Sequence, residues 1–134
     1  MKEYLNWSQF EQALCQLTLD YKQHDRQCVA ILGIPRGGMV LATCLSYRLN
    51  IPLIQRLSDR PRLGDVLVVD DIADTGKTLK IFTNKQTIIY TLYYHKNSIV
   101  VPDCWAYEKT DKWIVYPWET DIKIKLRDLW KKLL

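Results

Sequence analysis

The chain has 134 residues, of which 48% are hydrophobic and 25% are charged, and its formal net charge is +4 at pH 7. This length and composition are typical of one globular domain, which we expect to span residues 1–134. The mild positive charge suits anionic small molecules and does not by itself favour a nucleic-acid partner. No run of about 20 apolar residues occurs and the N-terminus lacks the apolar core of a signal peptide, so we expect no membrane association.

The four cysteines and two histidines do not form a metal-binding pattern. No two cysteines stand in a CxxC pair, and neither His24 nor His95 completes the spacing of a zinc site. Cys28 and Cys44 lie among apolar residues and are expected to be small buried thiols. Unpaired, reduced cysteines suit a cytoplasmic protein.

Helices and strands are predicted to alternate along the chain. Apolar residues at helical spacing predict a helix over residues 6–26, with Ser8 and Glu11 as its capping box. The apolar run at residues 28–34 is typical of a strand buried on both faces. The remaining predicted elements are a helix at 39–49, a strand at 51–56, a polar loop at 57–65, a strand at 66–72, a short helix at 75–82, strands at 87–94, 104–107 and 113–116, and a final helix at 120–134.

This alternation predicts an α/β fold: a single domain with a mostly parallel sheet flanked by helices. In such sheets ligands bind beyond the carboxyl ends of the strands. Two polar breaks, at residues 35–38 and 70–78, fall at such ends.

The most informative stretch is VLVVDDIADTGKTL, residues 66–79. Asp70 and Asp71 emerge where its apolar strand ends, and two adjacent carboxylates are costly to bury unless they face a cation or hydroxyl groups. Gly76 permits close approach of the backbone to a ligand. Amide groups at the start of a helix, together with the hydroxyls of two threonines, are suited to bind phosphate. The stretch therefore offers carboxylates for a sugar or metal beside a phosphate pocket.

A P-loop is a weaker interpretation of Gly76-Lys77-Thr78. The first glycine of that motif would fall at the position of Asp71. For Asp74 considered alone, a helix cap is a sufficient explanation.

The second polar break, GIPRGG at residues 33–38, follows the first buried strand. Gly37 and Gly38 allow an unusual backbone with exposed amides. Arg36 adds a charged guanidinium group whose N–H donors suit phosphate oxygens. The alternative is a simple glycine turn with a solvated arginine.

Residues 66–79 resemble the motif with which type I phosphoribosyltransferases bind 5-phosphoribosyl 1-pyrophosphate (PRPP). The resemblance implies that Asp70 and Asp71 hold the ribose hydroxyls, directly or through Mg²⁺, and that Asp74 exchanges a proton with a ring nitrogen of the base. It implies phosphate and pyrophosphate contacts from Arg36, Gly37, Gly38, Asp74, Thr75, Gly76, Lys77 and Thr78. The catalytic residues would be Arg36, Asp70, Asp71 and Asp74.

The resemblance is strongest to the xanthine-guanine branch of that family. The segment WIVYPWE, residues 113–119, is similar to its Trp-Ile-x-x-Pro-Trp-acidic signature. This implies that Trp113 stacks on the purine, that the backbone of Ile114 contacts it, and that Lys96 contacts its 6-oxo group, with His95 as a lower-ranked neighbour. The alternatives are packing roles for the tryptophans and a solvated position for Lys96.

The chain departs from the family in two loops. Pro35 stands in the pyrophosphate loop where the family often has a small polar residue, and the flexible loop is short. Type I enzymes close a long flexible loop over the site, whereas here only residues 57–65 lie between the two strands. A short loop is less able to exclude water from a water-sensitive reaction. Arg56, Arg60 and Arg62 would either reach pyrophosphate or remain solvated.

The resemblance thus implies a Mg²⁺-dependent purine phosphoribosyltransferase with a shortened flexible loop. PRPP and a 6-oxopurine (guanine, xanthine or hypoxanthine) would be its substrates, and the family implies a homodimer or tetramer. Two alternatives remain open: a PRPP or nucleotide sensor without full transferase activity, and a transferase for another base.

Overall fold

A five-stranded sheet forms the centre of the chain in a computed structural model that describes residues 1–119 and 129–133. The strand order is β3-β2-β4-β5-β6, and every pairing in it is parallel. These strands are β2 (Ala30–Gly33), β3 (Leu53–Ile54), β4 (Val66–Ala73), β5 (Thr87–Tyr94) and β6 (Cys104–Glu108). The predicted α/β class, with a mostly parallel sheet flanked by helices, is confirmed.

The two faces of the sheet bury separate sets of side chains. Leu67 and Val69 of β4 pack with the cores of α1 (Trp7–Gln23) and α2 (Gly37–Leu49). Val66 and Val68 point to the other face, where Leu79 of the short helix α3 (Lys77–Lys80) covers them. Side chains alternate between faces along a strand, which explains why a fully apolar run was needed for a strand covered on both sides.

Several predicted boundaries were wrong, mainly at helix ends. The capping box of α1 is formed by Asn6 and Gln9, whose side chains each accept a hydrogen bond from the other residue's backbone amide at 2.8–2.9 Å. It is not formed by Ser8 and Glu11. Helix α1 ends at Gln23 rather than residue 26, α3 has four residues rather than eight, and β3 has two residues rather than six.

One strand at the N-terminus was not predicted from the sequence. Strand β1 (Lys2–Tyr4) pairs in parallel with β7 (Trp113–Val115) in a separate two-stranded sheet. Its residues are polar and partly exposed, so no apolar pattern marks them. The pairing brings the first residues of the chain to the conspicuous tryptophan segment.

Of the predicted final helix, residues 120–128 and 134 lie outside the described residues, and 129–133 are helical. Within the described part of the chain, no helix is both long enough and apolar enough to cross a membrane.

Three chain segments converge at the carboxyl edge of the sheet. Gly33 of β2 pairs with Val69 of β4, so the loop after β2 begins beside the last part of β4. The amide of His95, just after β5, donates to the carbonyl of Ala73 at the end of β4 (2.9 Å). Any ligand at this edge is therefore met by loops from neighbouring strands.

Candidate functional site

The acidic pair and the glycine loop are in direct contact. Asp70 and Asp71 lie half-buried near the end of β4, and the amide of Asp71 donates to Asp70 Oδ1 at 2.8 Å. A side chain on Gly37 would overlap the Asp71 carboxylate, and a Cβ on Gly38 would lie 2.6 Å from the Val69 carbonyl oxygen. Backbone packing therefore requires glycine at position 38, and a side chain at position 37 would displace the Asp71 carboxylate.

The acidic pair is electrostatically unfavourable. Burial, together with the hydrogen bond and negative charge of Asp71, raises the pKa of Asp70 to about 8. Asp70 therefore holds its proton to a higher pH than a solvated aspartate does. A cation placed against the pair would favour loss of that proton, because an adjacent positive charge stabilises a carboxylate.

A cavity of about 210 Å³ lies beside this pair. Its wall is formed by Asp70, Asp71 and the loop at residues 74–78. Gly76 has a left-handed backbone (φ +83°), and a Cβ there would lie 2.5 Å from Ser98 Oγ. The loop is also held by the amide of Ile99, which donates to the Thr75 carbonyl (2.9 Å). The predicted phosphate loop thus has a fixed shape and faces the carboxylates.

A second cavity of about 150 Å³ adjoins the first and shares Asp71 and Asp74 with it. Its opposite wall carries Trp113 and Ile114. The side chain of Trp113 is 64% exposed, so its ring is available to a ligand. A cavity beside an accessible indole suits an aromatic ring system.

The two tryptophans of the WIVYPW segment have different roles. Trp118 stacks on Tyr116 (ring centroids 4.9 Å apart, planes at 4°) and contacts Phe10 of α1 edge to face. It is therefore a packing residue, whereas Trp113 faces the cavity. Burial raises the pKa of the Tyr116 phenol, whose oxygen is buried without a hydrogen-bond partner in the described structure.

Arg36 is exposed in the loop between β2 and α2. Burial and the charge of Asp71 raise the pKa of the Glu119 carboxyl, and Arg36 opposes that rise. This places the guanidinium near the acidic side of the site. The peptide bond between Pro35 and Arg36 is cis.

The structure does not bring Lys96 to either cavity. Lys96 is exposed in the turn after β5. The lysine in the second cavity is Lys109, just after β6, whose Nζ donates to Asp74 Oδ2 at 3.0 Å. Lys109 follows a strand that ends at the same edge of the sheet as β4 and β5, and this position was the signal in the sequence that could have identified it. The resemblance alone selected the strand end after β5 instead.

Two arginines at the loop of residues 57–65, Arg56 and Arg60, are engaged in contacts with the protein. Arg60 donates to the carbonyls of Gly64 (3.0 Å) and Lys85 (2.9 Å), and Arg56 pairs with Asp59 at 3.3 Å. Arg60 thus ties the loop to the segment before β5. This contact makes a pyrophosphate role for Arg60 less favourable, because ligand binding would have to break it.

The chain is similar in sequence and structure to several phosphoribosyltransferases. No protein-family model matches the chain. A xanthine-guanine phosphoribosyltransferase of Desulfotalea psychrophila is 28% identical over 112 residues, covering 68% of this chain and 70% of that protein.

Two solved structures extend the likeness. The crystal structure of a purine phosphoribosyltransferase from Pyrococcus horikoshii is 34% identical, with a TM-score of 0.72, and the match covers 88% of this chain and 94% of that one. A xanthine-guanine-hypoxanthine phosphoribosyltransferase of Helicobacter pylori shares the fold at 21% identity, with a TM-score of 0.77 over 95% and 99% of the two chains. Sequence identity, coverage and the parallel sheet agree, and the chain belongs to the type I phosphoribosyltransferase family, where its relatives are purine phosphoribosyltransferases.

Proposed function

We propose that the chain transfers the 5-phosphoribosyl group of PRPP to a 6-oxopurine, which yields a nucleoside 5′-monophosphate and pyrophosphate. The observation that carries this proposal is the pair of adjoining cavities that share Asp71 and Asp74. One cavity has the groups that suit a phosphorylated sugar, and the other has an accessible indole that suits a base. The activities of the relatives, xanthine-guanine and purine phosphoribosyl transfer, support this substrate class.

The loop at residues 74–78 would bind the 5′-phosphate, and Asp70 and Asp71 would hold the ribose hydroxyls. Thr75, Lys77 and Thr78 are exposed on this loop, so their hydroxyl and ammonium groups are available to phosphate oxygens. Gly76 packs closely against Ser98, and this contact holds the loop in position before a ligand binds. Such preorganisation contributes to catalysis because the groups need not reorient during the reaction.

In the reaction a ring nitrogen of the purine attacks C1 of the ribose. The bond between C1 and the pyrophosphate oxygen breaks, and its electron pair leaves with pyrophosphate. Arg36 and the backbone of Gly37 and Gly38 would stabilise the charge that develops on this leaving group. The proton that the purine loses would pass to Asp74, which lies between the two cavities.

Mg²⁺ fits the chemistry of the donor set. The ion is usually held by one or two carboxylates together with substrate phosphates. Asp70 and Asp71 offer that pair, and their mutual repulsion in the ligand-free protein favours a cation. When bound, Mg²⁺ would supply positive charge to the pyrophosphate.

A PRPP or nucleotide sensor is the second candidate function. The observation that favours it is the short loop at residues 57–65, which Arg60 anchors to Lys85. A loop held in this way closes less readily over a bound substrate, and water exclusion supports this kind of chemistry.

A pyrophosphate-release assay with Mg²⁺ and PRPP decides between the two. Guanine, xanthine, hypoxanthine, adenine, orotate and uracil would be added in turn, and the nucleotide product identified by mass. Release that depends on a 6-oxopurine is the expected result. No release with any base, combined with PRPP binding by calorimetry, would replace the transferase by the sensor. If pyrophosphate were released only with adenine, orotate or uracil, the protein would be a phosphoribosyltransferase for that base.

A further inference from the structure

A cavity of about 260 Å³ lies on the side of the sheet that α1 covers. It is larger than either cavity of the candidate site and shares no lining residue with them. Its walls come from β1, the first turn of α1 and the last residues of β5 and β6. Pockets for small molecules usually measure about 300–1,000 Å³, so this one has room for a small ligand. Its polar and aromatic lining residues are Glu3, Tyr4, Gln9, Tyr93, Tyr107 and Glu108.

The charge of this cavity is negative and uncompensated. Glu3 and Glu108 line it, and no basic residue is among its described lining residues. Neither carboxylate has an ion-pair partner in the part of the chain that the structure describes. The next residue after Glu108, Lys109, lines the other cavity and pairs there with Asp74. A cation in the cavity would therefore meet two carboxylates that the protein leaves unpaired.

Tyr93 adds a buried hydroxyl without a partner. The residue is only 3% exposed, and its phenol makes no hydrogen bond within residues 1–119 and 129–133. Burial and the nearby Glu3 and Tyr107 raise the pKa of Tyr93 to about 12. Both of these neighbours line the cavity, so the Tyr93 hydroxyl points into it. Because a buried polar group without a partner is unfavourable, a ligand that donates a hydrogen bond there would remove that cost.

The aromatic rings of the cavity favour an organic cation over a metal ion. The Tyr107 ring centre lies 5.5 Å from that of Tyr93, and the Tyr107 hydroxyl donates to the Gln9 carbonyl at 2.8 Å, which fixes the ring. Aromatic faces attract ammonium and guanidinium groups. Mg²⁺ and Ca²⁺ instead require a shell of oxygen ligands. The described residues contain no group of three or more His, Cys, Asp or Glu that could hold a metal ion.

We propose that this cavity binds a small organic cation, an alkylguanidinium or alkylammonium ion, whose charged group is held by Glu3 and Glu108. The N–H groups of such an ion are donors, and they would meet carboxylate oxygens and the Tyr93 hydroxyl oxygen as acceptors. A planar guanidinium can also stack on a tyrosine ring while it donates in its own plane. The alkyl part would lie against the rings of Tyr4 and Tyr107. The site is separate from the proposed transferase site and does not depend on that function.

Titration of the ¹⁵N-labelled protein with butylguanidine, followed by amide chemical shifts, tests the inference. Butylurea is the matched ligand control, because it has a similar shape and no charge. We expect butylguanidine to bind with a Kd of about 1 mM or tighter, as is reasonable for a ligand with so few atoms. Butylurea should bind at least roughly 10-fold more weakly. Glu3→Gln, Glu108→Gln and Tyr93→Phe keep the shape of each side chain, and each should weaken butylguanidine binding by roughly 10-fold through loss of a charged hydrogen bond.

Glu11→Gln is the matched protein control and should bind butylguanidine as the wild-type protein does, because Glu11 pairs with Arg48 outside the cavity. The amide spectra also show whether each variant is folded.

Four results would overturn the inference. They are the absence of saturable butylguanidine binding, equal binding of butylurea, unchanged affinity in a folded Glu3→Gln, Glu108→Gln or Tyr93→Phe variant, and displacement of butylguanidine by Mg²⁺. Unchanged affinity would place the cation elsewhere, as against Asp70 and Asp71, and displacement by Mg²⁺ would make the cavity a metal site. None of these outcomes bears on the proposed transferase, whose two cavities contain neither Glu3 nor Glu108.

Discussion

Replacement of Asp70 by asparagine should make the protein more stable and much less active. The Asp70 carboxyl is half-buried beside Asp71, and these surroundings raise its pKa from 3.8 to about 8. Asparagine has a similar shape and keeps an oxygen that can accept the hydrogen bond from the Asp71 amide. Asp70→Asn therefore removes the unfavourable charge with little change in packing.

The size and pH dependence of the gain follow from the raised pKa. At about 1.4 kcal/mol per pKa unit, the raised pKa corresponds to a gain of at most about 6 kcal/mol in the free energy of unfolding of Asp70→Asn. Partial hydration of the pair reduces the effect, and we expect about 2 kcal/mol. Because the folded protein binds this proton more tightly than the unfolded chain, the contribution of Asp70 to wild-type stability falls as the pH rises from about 4 to about 8. The advantage of Asp70→Asn should be small near pH 4 and largest above pH 8.

Urea denaturation at pH 4, 7 and 9 measures this dependence, with Asp74→Asn as the control. Asp74 has a favourable ion pair with Lys109, so its replacement should give no comparable gain at alkaline pH. If Asp70→Asn lowered stability at pH 9, or raised it equally at all three values, the electrostatic account of the pair would be wrong. PRPP-dependent pyrophosphate release should fall by at least roughly 100-fold in the same variant, since a group that orients the ribose is lost.

Three further variants test other parts of the site. Gly37→Ala places a methyl group against the Asp71 carboxylate, and the resulting displacement should weaken PRPP binding by roughly 10-fold in calorimetry; undiminished affinity would show that the loop adapts freely. Tyr116→Phe removes a buried hydroxyl without a partner, so unfolding in urea should show equal stability or a gain of up to about 1 kcal/mol. A marked loss would reveal a hydrogen bond at that hydroxyl. Arg60→Ala removes the contact to the Lys85 carbonyl, so limited proteolysis should cut residues 57–65 faster than in the wild-type protein. Equal cleavage rates would show that Arg60 does not hold this loop to the segment before β5.

The local order of the phosphate loop could be predicted because its signals are local. Four apolar residues before Asp70 specify a strand buried on both faces, and Gly76 stands where the backbone takes a left-handed turn. Both features depend on residues within a few positions of each other. The acidic pair and the left-handed turn at Gly76 therefore appear in the structure in the predicted order.

The base cavity could be predicted only in part because its walls come from distant segments. Trp113 was identified through a short signature, but which lysine reaches Asp74 depends on how β6 pairs with β5. Lys96 and Lys109 both follow a strand, and spacing alone does not distinguish their directions. Strand β1 was missed for a related reason, since its pairing with β7 joins residues more than a hundred positions apart.

The pairing of β1 with β7 has a consequence for synthesis of the protein on the ribosome. Asp70, Asp71 and the loop at residues 74–78 lie within a contiguous stretch that leaves the ribosome before the segment that carries Trp113. That segment must then pair with residues 2–4, which lie more than a hundred positions earlier, in a sheet of its own. Nascent chains should thus order residues 66–79 before the cavity lined by Trp113 has its second wall.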